Sequence, residues 1–114
     1  MPKYPCPCCG FVVFDEQVGS YDICPLCGWE DDPVQLTYPG MAGGANTESL
    51  FDAQQKFVQT MPADRQLHRG FRRDPSWRPL RREEARTRSD QPNSGREYFD
   101  AIPFDGPAYY WKAS

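Results

Sequence analysis

Histidine is almost missing from this 114-residue sequence, His68 being its one example. No nucleophile or orienting acid sits beside that ring in sequence, so nothing points to an imidazole-based catalytic constellation. Apolar residues never run on: no stretch approaches the ~18 continuous residues of a spanning helix, and the N-terminus holds no apolar segment of secretion-signal type. A cytoplasmic protein with no membrane partner is the expectation. Positive charge is scarce in the first half, where Lys3 and Lys56 face eight acids over residues 1–60, a net −6. The glycine-rich loop from Tyr38 to Asn46 lacks the Lys-Ser/Thr ending of a nucleotide-binding loop, and no strong strand precedes it, so phosphate binding is not expected.

What the sequence does have is cysteine in a repeated pattern. Cys6-Pro7-Cys8-Cys9-Gly10 and Cys24-Pro25-Leu26-Cys27-Gly28 both read CPxCG. In each, two cysteines flank a proline and a following glycine suits a tight turn that aims both thiolates at one point. Cys6, Cys9, Cys24 and Cys27 are therefore the expected ligands of one tetrahedral ion, each sulfur roughly 2.3 Å from it and no coordination position open. A structural zinc is preferred; iron in a rubredoxin-like site uses the same four thiolates, and the spacing leaves both metals open. Two disulfides plus a free thiol fit less well, given five cysteines, no signal segment and the repeated pattern. Cys8 is the surplus thiol. A reactive role would need a lowered pKa, whereas the neighbouring thiolate centre is negative, so a packed cysteine is the expectation, with a ligand exchange between Cys8 and Cys9 as the alternative.

Such a centre matters in a chain this short, because a small core stabilises weakly and structural zinc couples roughly 10–16 kcal/mol of binding to folding in small peptides. Around it, Phe11 to Phe14 favours a strand, Asp15 to Ser20 a turn, and Tyr21 to Ile23 a short returning strand, the layout of a zinc ribbon. Trp29 has the size to cover the site. Val34 to Thr37 reads as a further edge strand. Ser49 is the expected N-cap of a helix over residues 50–61, with Leu50, Ala53, Phe57 and Met61 on its packed face. Ala63 to Arg69 and Leu80 to Thr87 read as short helices, Ser89 to Gly95 as a linker. The aromatic stretches Tyr98 to Phe104 and Tyr109-Tyr110-Trp111 should dock on the domain or on a partner.

Charge reverses along the chain: residues 61–90 carry nine arginines against five acids, or +4, and residues 91–114 come to −1, which with −6 make the overall −3. The arginines, with Phe71 and Trp77 as stacking rings, invite a nucleic-acid reading. Asp64, Asp74, Glu83 and Glu84 among them and the acidic balance of the whole weaken it. Pairing with the acidic first half is the structural alternative.

The run YPCPCCG, then YDICPLCGWEDDPVQL, then AGGAN leading into SLFDAQQKF, resembles the cysteine-rich CPCC family of small bacterial proteins over about residues 3–61. Residues 62–114 lie mostly outside that likeness. The resemblance implies a zinc-ribbon-like cytoplasmic protein without an established activity, some relatives of which look like immunity proteins encoded near secreted toxins. The expectation is thus an α+β protein, not an enzyme: a zinc-ribbon domain with helix over residues 1–61 and an arginine-rich, aromatic extension over residues 62–114. Its leading role is protein binding, most concretely masking a toxin. Trp29, Glu30, Asp31, Asp32, Tyr109, Tyr110 and Trp111 are the candidate partner-binding residues, because an acidic face attracts basic protein and repels nucleic acid. A nucleic-acid-binding ribbon and a rubredoxin-like electron carrier are the rivals.

Overall fold

In the computed structural model, which describes residues 2–85 and 109–112, short elements are strung around the cysteines in an α+β arrangement. Strands β1 (Tyr4–Pro5) and β2 (Val12–Phe14) run antiparallel, Tyr4 opposite Phe14 and Pro5 opposite Val12, with a bulge between. Phe11 has left this ladder: it bridges to Arg73, tying the hairpin to the second half of the chain. The expected returning strand survives as one bridge, Ile23 opposite Glu30, flanked by Tyr21 N–H to Asp31 O at 3.0 Å and Asp31 N–H to Asp22 O at 2.9 Å.

The segment read as an edge strand is instead helix α1 (Pro33–Thr37). Asp32 decides this. Its backbone is extended (φ −88°, ψ 115°) while its carboxylate accepts from the N–H groups of Val34 and Gln35, and Pro33 supplies a preset φ at the first helical position. Capping by Asp-Pro outweighs the strand preference of Val34 and Thr37.

Helix α2 (Leu50–Thr60) begins as expected, the Ser49 hydroxyl accepting from Asp52 N–H at 3.1 Å, and ends where Met61 N–H meets Phe57 O ahead of Pro62. Leu50 is fully buried, as is Gln54 one turn later. Beyond Pro62 the expected short helix is a hairpin, β3 (Leu67–His68) against β4 (Phe71–Arg72), with Leu67 opposite Arg72 and His68 opposite Phe71. Arg69 and Gly70 both have positive φ, 51° and 87°, the pair of left-handed residues that a two-residue turn matched to strand twist requires. Of the helix read over Leu80 to Thr87, the described part is a single 3₁₀ turn, Arg82–Ala85, and the linker and the Tyr98 to Phe104 stretch lie outside the described residues.

The main core joins Cys6, Phe11, Phe14, Trp29, Leu50 and Leu80, so one cluster draws on both ends of the described chain. A smaller one joins Val34, Tyr38 and Met41. Gln35, fully buried, organises the loop between α1 and α2: its amide nitrogen donates to the carbonyls of Met41, Asn46 and Glu48 at 3.0 to 3.1 Å, and its oxygen accepts from Asn46 N–H and Nδ2. Asn46 in turn pairs with both backbone groups of Glu30 at 2.9 Å. The aromatic stretch 109–111 docks on the chain itself: Tyr109 Oη donates to Pro5 O at 2.8 Å, Tyr110 Oη to Arg78 O, and Trp111 Nε1 to Asp74 Oδ2 at 3.1 Å. No helix among the described residues is long and apolar enough to cross a membrane.

Candidate metal centre

Each CPxCG pattern closes on itself through the same pair of backbone bonds. In the first knuckle Gly10 N–H reaches Cys6 O at 2.7 Å and Cys6 N–H reaches Phe11 O at 2.9 Å; in the second Gly28 N–H reaches Cys24 O at 3.0 Å and Cys24 N–H reaches Trp29 O at 2.8 Å. Both glycines have positive φ, 80° and 82°, which only glycine adopts freely. The turn thereby puts the first and fourth residues of the pattern side by side. Leu26 N–H points at Cys24 Sγ from 3.4 Å, the kind of donor that supports a thiolate.

The two turns face each other. Cys6 Sγ lies 3.6 Å from Cys27 Sγ and Cys9 Sγ 3.7 Å from Cys24 Sγ, and all four sulfurs fall within 4.8 Å of one another. A tetrahedral ion roughly 2.3 Å from each sulfur sets sulfur–sulfur edges of about 3.8 Å, close to these separations. A disulfide needs about 2.05 Å, and all five cysteines are free thiols. Protonation points the same way. Burial, followed by hydrogen bonds with Cys24 and Cys27, pushes the Cys6 thiol well up; bonding to Cys24 raises Cys9; Cys27 is pulled far down, first by Cys24 and then by Cys6. Four thiolates this close repel one another, so they ionise together only against a compensating cation. No lysine or arginine donates to a sulfur among the described residues, so the four cysteines are fitted to hold a metal ion.

Cys8 stays outside this set. It is buried, and interaction with Cys27 and then burial raise its pKa, which opposes a nucleophilic role. His68 is on β3 with its ring 6.0 Å from Phe11.

The residues read as an acidic contact face need correcting. Asp31 and Asp32 have no exposed surface. Asp31 Oδ2 accepts from Gly19 N–H, Ser20 N–H and Ser20 Oγ, while Asp32 caps α1 with one oxygen and accepts from Ala45 N–H with the other at 2.9 Å. These carboxylates hold loops; burial raises the Asp31 pKa against those bonds. Trp29 and Trp111 are buried, Tyr109 and Tyr110 half-buried with bonded hydroxyls, and only Glu30 keeps a partly exposed carboxylate. Trp77, read as a stacking ring, is buried too.

Three polar residues that sequence reasoning passed over support the site, Arg73 and Gln54 by holding the first knuckle and Gln35 by holding the loop beside the second. Arg73 is buried, donating Nε to Cys9 O at 2.7 Å and Nη1 to Pro62 O at 2.6 Å and Arg65 O at 3.1 Å, with its guanidinium 4.5 Å from the Phe11 ring and 4.6 Å from the Trp77 ring. Gln54 donates to Pro7 O at 2.9 Å and accepts from Leu80 N–H at 2.8 Å. Gln35 holds the loop that reaches Glu30. Gln54 did carry a signal, falling between Leu50 and Phe57 on the apolar stripe of α2; Arg73 carried none beyond sharing strand parity with Phe71.

The family model described as cysteine-rich CPCC matches residues 4–78, more than half of the chain. The likeness thus extends past residue 61, through Arg73 and Trp77. Among curated proteins none matches.

Proposed function

The chain belongs to the cysteine-rich CPCC family, and on that footing we propose that it is a zinc-stapled protein-interaction module whose most concrete role is that of an immunity protein masking a bacterial toxin. The observation that carries the metal half is the four-sulfur cluster with edges near those of a tetrahedral thiolate site. Zinc is the ion we assign, because a closed four-thiolate site suits a redox-inert structural metal. The centre then serves as a staple: with every coordination position taken by protein, it offers no substrate a place to bind. Five free thiols suit a reducing compartment, so the cytoplasm is the proposed location.

The interaction half rests on the acidic excess of residues 1–60, on exposed Asp15, Glu16 and Asp22, and on the resemblance of some relatives to immunity proteins. With Asp31 and Asp32 turned inward, the proposed contact runs through those exposed acids and Glu30. Co-expression with the product of the neighbouring gene tests it: growth is rescued and the two proteins co-purify. No rescue together with no co-purification removes the immunity role. Elemental analysis tests the staple separately; one zinc per chain in a colourless protein is expected, and a red iron protein would restore the electron-carrier reading.

A further inference from the structure

A groove of about 550 Å³ opens beside the second knuckle, within the size range of ligand-binding pockets. One wall is α2, which presents Ala53, Lys56, Phe57 and Thr60, positions i, i+3, i+4 and i+7 of a single helix stripe. The other is the bridge of Ile23 with Glu30. Directly opposed residues of an antiparallel pair project to the same side, so both side chains face the groove. Cys27, Gly28 and Trp29 of the second knuckle also line it. Ile23 is 65% exposed, the largest value among the exposed large hydrophobics, and it stands across the groove from the half-buried Phe57.

Charge narrows the occupant. Lys56 is paired with Glu48 on the rim at 2.5 Å, so these two offset each other. The Glu30 carboxylate has no ion-pair partner among the described residues. The groove therefore combines apolar lining from Ile23 and Phe57 with one unpaired carboxylate, Glu30, directly opposite Ile23 on the bridge. From Ala53 to Thr60 the helix rises about 10 Å, the reach of roughly three residues of extended chain.

We infer that this groove receives a short extended segment of a protein partner, with one large apolar side chain between Ile23 and Phe57 and an adjacent lysine or arginine at Glu30. The inference rests on the protein-interaction reading above and specifies the partner's chemistry. A five-residue probe, phenylalanine flanked by arginines with glycine ends, is titrated into the ¹⁵N-labelled, zinc-loaded full chain, alongside one control with alanine for phenylalanine and another with glutamates for arginines. Shifts confined to the amides of Gly28, Trp29, Ala45 and Phe57 are expected, with each control binding at least about fivefold more weakly. Ile23→Asp, a change at an exposed position, should abolish the shifts, and Glu30→Gln should weaken the arginine probe about threefold.

Equal binding of all three peptides, shifts elsewhere, or no shift at millimolar probe overturns the inference. So does a concentration-dependent shift of the same amides without peptide, which would make a second copy the occupant. The two readings fail separately. Rescue and co-purification with a neighbouring gene product that survive both groove variants would remove the groove and leave the immunity role; peptide binding with no rescue would do the reverse.

Discussion

The two CPxCG knuckles share a pattern and backbone bonds, and the protein treats them differently. The first is enclosed: Cys6, Cys8 and Cys9 are buried, Pro7 O accepts from both Gln54 Nε2 and Trp77 Nε1, and Cys9 O accepts from Arg73. A Cβ on Gly10 would lie 2.4 Å from the Trp77 ring. The second stands at the surface: Pro25 and Gly28 are exposed, Leu26 and Cys27 half-buried, and a Cβ on Gly28 would meet nothing within 4 Å. Local sequence determines the turn, and distant sequence determines whether it is anchored. The four-cysteine cluster thus joins an anchored turn to one whose Cys24 is buried but whose Cys27 is half-buried and lines the groove.

Metal removal should have the largest effect, and it tests whether the halves are coupled at all. Structural zinc contributes on the order of 10 kcal/mol to folding, comparable to the whole stability of a small domain, so a strong chelator at neutral pH should unfold the chain, read as loss of near-ultraviolet dichroism. Substitutions should then separate the halves. Cys6→Ser removes a fully buried cysteine of the enclosed knuckle. Cys27→Ser removes the half-buried cysteine of the surface knuckle, where water can take the vacated position, so it should retain more zinc than Cys6→Ser in a competition titration. Equal loss in both single variants would show the sites to be equivalent.

The glycines sharpen the contrast. Gly28→Ala meets only the cost of a left-handed backbone, about 1–2 kcal/mol. Gly10→Ala meets that cost and a collision with a buried ring, typically another 1–3 kcal/mol, so its denaturation midpoint should fall roughly twice as far. Comparable shifts would mean that Trp77 moves aside freely.

How far this asymmetry could be read in advance depends on the range of the interactions. The two cysteine turns and the start of α2 were legible because Cys-Pro-x-Cys-Gly and Ser49 with Asp52 act within five residues. Helix α1 was misread because Val34 and Thr37 favour strands, although the decisive cap, Asp32 before Pro33, was equally local. The hairpin at 67–72 was missed because one turn residue is Arg69, whose left-handed backbone its side chain does not advertise. Inward-facing Asp31 was beyond reach in a stricter sense: its donors are 11 and 12 residues away, and acidity in sequence carries no sign of which way a carboxylate turns. Arg73, 64 residues from Cys9, is the extreme case.

Arg73 is accordingly the next test of anchoring. Arg73→Met keeps an apolar chain between Phe11 and Trp77 but leaves the buried Cys9 carbonyl without its donor, whereas the exposed Pro62 carbonyl keeps Arg65 N–H, a loss of about 1–3 kcal/mol. Arg73→Lys keeps the charge without the planar fork and should recover less than half of it. Amide exchange should rise at Cys9 and Gly10 in both variants and stay unchanged at Gly28.

The smallest effect concerns the segment that covers the first knuckle. Arg78 makes two bonds to Glu84, at 2.7 and 2.9 Å, and Arg81 N–H a third at 2.8 Å, so the Glu84 carboxyl is held down at about 2, chiefly by the Arg78 guanidinium, against its ordinary 4.5. A carboxyl whose folded pKa is depressed stabilises the fold above its unfolded value, and that contribution disappears as pH falls from about 4.5 towards 2. Both partners are partly exposed, so solvent screening limits it to roughly 1 kcal/mol or less. Thiolate protonation also weakens the metal in acid, but it is common to the parent and Glu84→Gln and cancels in their difference. That difference should be largest near neutral pH and vanish near pH 2, with faster exchange at Leu80 and Trp77 in the variant. Accelerated exchange at Gly28 as well would mean that the cover serves both knuckles and that their asymmetry is confined to the surface.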